Sequence, residues 1–227
     1  MDNAGAVIGP LLAAWLLTSH VPLKEIFMWA AIPGAITVLL ALCIKEAPVE
    51  VELKKPFSWT MEGFPPVYKR YLLTMALFTL GNSSNMFLLL RAKDMGLPTA
   101  MVPVLWAITS ASAMLLSTPL SSLSDRVGRS RLIIVGWVFY GLFYLLLGLN
   151  GHHLWLIWPL FAFYGVFMAA TEGAEKALVA DIAPKEMLGT AYGWFNLTTG
   201  IMLLPASMIF GWLWQTISPE VAFGFSA

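Results

Sequence analysis

Residues 131–150 read Arg-Leu-Ile-Ile-Val-Gly-Trp-Val-Phe-Tyr-Gly-Leu-Phe-Tyr-Leu-Leu-Leu-Gly-Leu-Asn, one charge followed by an apolar run of bilayer length. A helix that crosses a bilayer needs about 20 mostly apolar residues. Six further stretches have the same character, at 4–19, 22–44, 71–92, 99–122, 155–180 and 189–214. Across the 227 residues 59% are apolar and 11% are charged, against roughly 25% charged in an average soluble domain. A soluble chain of this size would lack polar surface. The expected fold is therefore all-α and polytopic, a bundle of about seven transmembrane helices.

The 13 Lys and Arg balance the 13 Asp and Glu, which gives no pointer to nucleic acid or to an acidic substrate. Cys43 is the single cysteine, so an internal disulfide is excluded and a zinc site or thiol relay is not expected. The first apolar stretch starts almost at Met1 without a charged n-region or cleavage site. It reads as a helix cut at its start rather than as a signal peptide. From Ser218 to Ala227 a further apolar run begins.

Connectors between spans alternate sides, so their basic residues give the orientation. One set holds Lys45, Lys54, Lys55, Lys69, Arg70, Arg126, Arg129, Arg131 and Lys185; the other holds only Lys24, Arg91 and Lys93, while Lys176 falls inside a span. The richer set is expected to be cytoplasmic. This puts the Met1 end and the connectors 45–70, 123–131 and 182–189 inside, in a plasma (inner) membrane protein. The connector 45–70, with Lys54, Lys55, Pro56, Glu62, Pro65 and Pro66, reads as a link between two bundles.

An internal repeat supports two bundles. Gly5 and Pro10 in the first span match Gly200 and Pro205 in the seventh at constant offset, and Pro22 and Phe27 resemble Pro219 and Phe223 with a shift of one or two. Parallel repeats related by an axis along the membrane normal are a transporter architecture. The repeat implies residues 1–44 as the last two helices of an N-terminal bundle, 45–70 as the cytoplasmic linker, and 71–227 as a C-terminal bundle lacking its last helix.

The turn after the fourth span reads Ser121-Ser-Leu-Ser-Asp125-Arg126-Val-Gly128-Arg129-Ser-Arg131. Gly128 permits a positive backbone angle, Asp125 can accept hydrogen bonds from nearby amides, and the arginines suit lipid headgroups. This turn resembles the signature loop of the major facilitator superfamily, Gly-x-x-x-Asp-Arg-x-Gly-Arg-Arg, at Asp125, Arg126, Gly128 and Arg129. Ser121 replaces its first glycine, and Ser130 displaces its last basic residue to Arg131. The resemblance implies part of a twelve-helix fold, roughly the fifth to eleventh helices, and a gating role for the loop. The opening Gly5-Ala-Val-Ile-Gly9-Pro10 allows close helix packing and a proline bend. It looks like the Gly-x-x-x-Gly-Pro element in the fifth helix of proton-exchanging exporters of the superfamily.

Ionisable groups inside a membrane usually face a bundle interior or a watery cavity. The sixth span carries Glu172, Glu175 and Lys176 within Ala-Thr-Glu-Gly-Ala-Glu-Lys. Glu172 and Lys176, four apart, share a helical face and can pair, and Glu175 adjoins that face. This is read as a proton-sensitive site, with a fixed salt-bridge cluster as the structural alternative. The third span carries Gly81-Asn82-Ser83-Ser84-Asn85, close to the midplane at a rise of ~1.5 Å per residue. The resemblance implies that the third and sixth spans border the central path, so Asn82, Asn85, Glu172, Glu175 and Lys176 form the expected substrate and proton pathway. Gly5, Gly9, Pro10, Gly200 and Pro205 are expected at helix-packing positions.

Weaker candidates are the outer-loop His152 and His153; Trp155, Trp158, Trp212 and Trp214, placed as an interfacial belt; and Asp181 with Pro184 at the inner end of the sixth span. No phosphate loop, metal box or nucleophile with its base is visible. The expectation is a secondary carrier, a monomer when complete, without cofactor or metal, moving a small molecule against protons across the lipid bilayer. Export is favoured over proton-linked uptake. A polytopic membrane enzyme and a transport-dead sensor are the rivals of another class. In a Cys43→Ser background, Arg126→Cys and Lys54→Cys should resist an impermeant maleimide added outside intact cells while Lys93→Cys reacts; outside labelling of Arg126→Cys would refute the orientation.

Overall fold

The computed structural model describes residues 2–44, 60–151 and 153–227. Lys45, Lys54, Lys55, Pro56 and His152 lie outside the described residues. The described elements are α1 (Asp2–Thr18), α2 (Leu23–Leu42), α3 (Pro66–Gly81), α4 (Met86–Asp94), α5 (Val102–Val127), α6 (Arg129–Leu149), α7 (Leu154–Ile182), α8 (Leu188–Thr216) and α9 (Pro219–Ser226). Six helical spans are long and apolar enough to cross a membrane, α3 and α4 counting together, and Ala4–Thr18 is a shorter apolar helix.

Large apolar side chains point outward, among them Trp15, Phe27, Trp29, Leu42 and Met208. In water such a surface would drive association; against lipid tails it is at equilibrium. The repeat-related prolines take comparable places, with Pro10 inside α1 and Pro205 inside α8, and Pro22 and Pro219 at the starts of α2 and α9.

Helix α7 is the centre of the bundle, packed most extensively on α5 and α6. Close approach comes from small residues, which let backbones meet where lipid provides no hydrophobic drive. A Cβ on Gly165 would lie 2.4 Å from the Thr109 carbonyl oxygen and 2.6 Å from the Ser112 Cβ, and one on Gly136 would lie 2.4 Å from the Thr171 methyl. Across the same seam Thr109 Oγ1 donates to the Phe161 carbonyl at 3.0 Å. Around the N-terminal half of α7 the fully buried Phe143, Tyr144, Phe161, Phe210 and Phe223 join α6, α7, α8 and α9 into one aromatic core. A second cluster, Tyr68, Leu72, Met75, Val179, Ala191 and Phe195, joins α3, α7 and α8. Helix α1 lies along α5, whereas α2 buries none of its side chains.

The third span differs from the expected continuous helix over 71–92. It begins earlier, at Pro66, and breaks at Asn82–Asn85 into α3 and α4. Asn82 takes an extended ψ of 93°, because four consecutive polar side chains offer the backbone alternatives to the helical ladder. In a bilayer the freed groups need partners, and neighbouring helices supply them. Tyr140 on α6 donates to the Gly81 carbonyl at 3.1 Å, Ser207 Oγ on α8 accepts from the Ser84 amide at 3.3 Å, and Tyr164 on α7 donates to Asn85 Oδ1 at 2.8 Å. The turn between α5 and α6 follows its sequence reading: Gly128 has φ of 101° and its amide donates to the Ser124 carbonyl at 2.9 Å.

The Gly165 seam carries a stability prediction. Gly165→Ala forces backbone apart and should lower the unfolding free energy by about 1–3 kcal/mol. Gly173→Ala, with nothing within 4 Å, should be neutral or gain up to about 1 kcal/mol of helix propensity. Thermal unfolding in one detergent, compared between the two variants, checks the ordering.

Candidate functional site

The polar turn of α7 from Thr171 to Lys176 is held in place by three other helices. Lys176 Nζ lies 3.4 Å from Glu172 Oε1, both side chains being more than half exposed at 58% and 59%. Glu175, one helical step away, turns inward: its Oε1 accepts from Trp137 Nε1 on α6 at 3.3 Å. Tyr71 on α3 donates its hydroxyl to the Glu175 main-chain carbonyl at 3.2 Å, and Tyr192 on α8 donates to the Lys176 carbonyl at 3.0 Å. The expected Glu172–Lys176 pair is thus present, and the third ionisable group stands apart from it.

Two cavities flank this turn. One, of about 390 Å³, lies between α3, α7 and α8 and is lined by Asn82, Glu172, Glu175, Phe195, Asn196 and Thr199 among others. The second, of about 450 Å³, lies between α5 and α7 and is lined by Ser117, Thr118, Ser121, Gly173, Glu172 and Lys176 among others. Glu172 borders both. Of the pathway residues expected from sequence, Asn82, Glu172 and Glu175 come together on the first cavity and Lys176 faces the second. Asn85 does not line either; its side chain is spent on Tyr164 at the helix break. Asn196 and Thr199 were missed, although their spacing of three places them on one face of an otherwise apolar span.

At the turn between α5 and α6, Arg129 clamps three helices. Its Nη1 meets Asp181 Oδ2 at 2.7 Å and also donates to the Ala177 carbonyl, while Nη2 lies 3.8 Å from Asp125 Oδ1. Asp181, read from sequence as a helix-end residue, is the main partner of the loop arginine. Arg126 makes no ion pair among the described residues. At the opposite end the buried Arg91 on α4 pairs with Glu220 on α9 at 3.0 Å. The glycines expected to pack helices behave otherwise within this chain: among the described residues nothing comes within 4 Å of a Cβ built on Gly5, Gly9 or Gly200. Gly136 and Gly165 take that role instead.

The Major Facilitator Superfamily profile matches residues 71–227. The chain belongs to that superfamily. An uncharacterized MFS-type transporter of Methanocaldococcus jannaschii is 33% identical over 229 residues, covering 98% of this chain and 57% of the relative. The chain therefore spans a little over half the length of that relative. No solved structure matches. Membership of this superfamily, with six apolar helices of spanning length among the described residues, makes the chain an integral membrane protein.

The Arg129 clamp ranks its partners by geometry. Charge-assisted hydrogen bonds exceed neutral ones, but exposure screens them. Arg129→Ala should cost about 1–2 kcal/mol of stability and Asp181→Asn about 1 kcal/mol, with Asp125→Asn near zero given its 3.8 Å distance and 69% exposure. Unfolding in a detergent titration reads the order, and an Asp125→Asn cost equal to that of Asp181→Asn would contradict it.

Proposed function

We propose that this facilitator takes part in proton-coupled transport of a small solute by alternating access, with export as the favoured direction. In this reading residues 1–44 belong to one bundle and 71–227 to the other, joined by the linker 45–70 and rocking around a central site, and Asn82, Glu172, Glu175, Asn196 and Thr199 form the wall that one bundle contributes. The observation that carries this reading is the convergence of a broken helix, α3–α4, and two carboxylates of α7 on one cavity of about 390 Å³. Irregular backbone at membrane depth is tolerated where it is buried in protein or lines a cavity, and intramembrane carboxylates mark ion and substrate pathways. The loop Asp125–Arg129, clamped on Asp181, is the gate at the cytoplasmic end in this reading. The Gly5–Gly9–Pro10 element supports export.

Proton coupling follows from the two states of the carboxylates. When Glu172 and Glu175 are ionised they hold solute and, for Glu172, Lys176; protonation cancels that charge and releases the solute. Acidifying the receiving compartment should therefore accelerate solute discharge into it. Glu175→Gln and Glu172→Gln, fixed in the neutral form, should abolish pH-linked flux in vesicles containing the protein while membrane insertion stays intact. Wild-type pH dependence in both variants would return the cluster to a purely structural role, and absence of counterflow above empty vesicles would remove the carrier reading.

A further inference from the structure

We infer that the cavity between α3, α7 and α8 selects an organic monocation with a flat apolar body, held by Glu175 and an aromatic wall. The inference rests on reading that cavity as the solute site and adds the chemical class of the solute. Its lining combines the rings of Phe78, Phe167 and Phe195 with the thioethers of Met75 and Met168. Two ring pairs flank Glu175: Phe78 stacks on Trp137 at 4.4 Å and 11°, and Tyr71 lies parallel to Phe195 at 6.2 Å and 1°. Ring faces attract cations, more strongly where water is displaced, and thioethers adapt to apolar shapes.

The charge balance of the cavity gives the sign. Lys176 pairs with Glu172 at 3.4 Å and lines the other cavity. No Lys, Arg or His pairs with Glu175 among the described residues. The groups that face Glu175 are Glu172 and Lys176 on its own helix, Tyr71 on α3 and Trp137 on α6, while Tyr192 of α8 bonds the neighbouring Lys176 carbonyl. Ionised Glu175 therefore leaves one negative charge without a fixed counterion, which disfavours an anion and suits one positive charge. The amides Asn82 and Asn196 and the hydroxyl Thr199 border the same space and orient the polar end of the ligand.

The test uses the full chain in nanodiscs and three probes of nearly equal shape: 1-methyl-4-phenylpyridinium, uncharged 4-methylbiphenyl and biphenyl-4-carboxylate. Expected is binding of the pyridinium at least about tenfold tighter than the other two, a loss of about tenfold or more in Glu175→Gln, and retention in Glu175→Asp. Lowering the pH should weaken pyridinium binding in the wild type and leave Glu175→Gln unchanged. Equal affinity for the uncharged probe, an unchanged constant in Glu175→Gln, or no pyridinium binding by a chain of wild-type helicity would each overturn the inference. Pyridinium binding that requires Glu175, in vesicles without proton-linked flux, would uphold the cation class and remove only the coupling argued above. Proton-linked flux of another solute without pyridinium binding would do the reverse.

Discussion

Backbone amides and carbonyls have no water to turn to inside a bilayer, and each one left unpaired costs several kcal/mol. This constraint governs the third span. Where Asn82–Asn85 leaves the helical ladder, a tyrosine of α6 takes the Gly81 carbonyl, a serine of α8 takes the Ser84 amide, and a tyrosine of α7 holds the Asn85 side chain. Those three helices are fixed around the interruption, and the cavity wall formed by Asn82 and Phe78 depends on them. A straight helix would need none of these bonds, and α3 would then be held on α7 and α8 only by the Tyr68, Leu72 and Met75 cluster and by the Tyr71 hydroxyl.

Helix α7 plays the complementary part. Its small residues meet α5 and α6 closely, its aromatic N-terminal half fills the core, and its C-terminal half carries the ionisable turn. Packing thus sets the rotation of the helix, and the rotation decides which carboxylate is half-buried against Trp137 and which stays in the open with a lysine. The exposed Glu172–Lys176 pair contributes little to stability.

The spans were legible because apolar run length is a direct record of bilayer thickness; α6 and α8 start and stop within two residues of their apolar runs. Gly128 was legible because a glycine in a tight interhelical turn has one obvious use. The break was not, since a polar run in mid-span fits helix–helix glue as well as an interruption, and only the positions of Tyr140, Tyr164 and Ser207, each more than 50 residues away, decide between them. For the same reason Asn85 was grouped with Asn82 although the break turns them to different neighbours. The clamp on Asp181 and the contribution of Asn196 depend on how α6, α7 and α8 rotate about their axes, which apolar composition leaves open. The small residues Gly5, Gly9 and Gly200 show the limit of spacing arguments: the pattern permits contact, and the neighbours decide where contact happens.

Glu172 belongs to the walls of two chambers separated by the thickness of one helix. A single carboxylate therefore borders both spaces. Lys176, which pairs with it at 3.4 Å, lines the chamber on the α5 side, while Glu175 lines the one on the α3 side, so the two chambers differ in the charge on their walls.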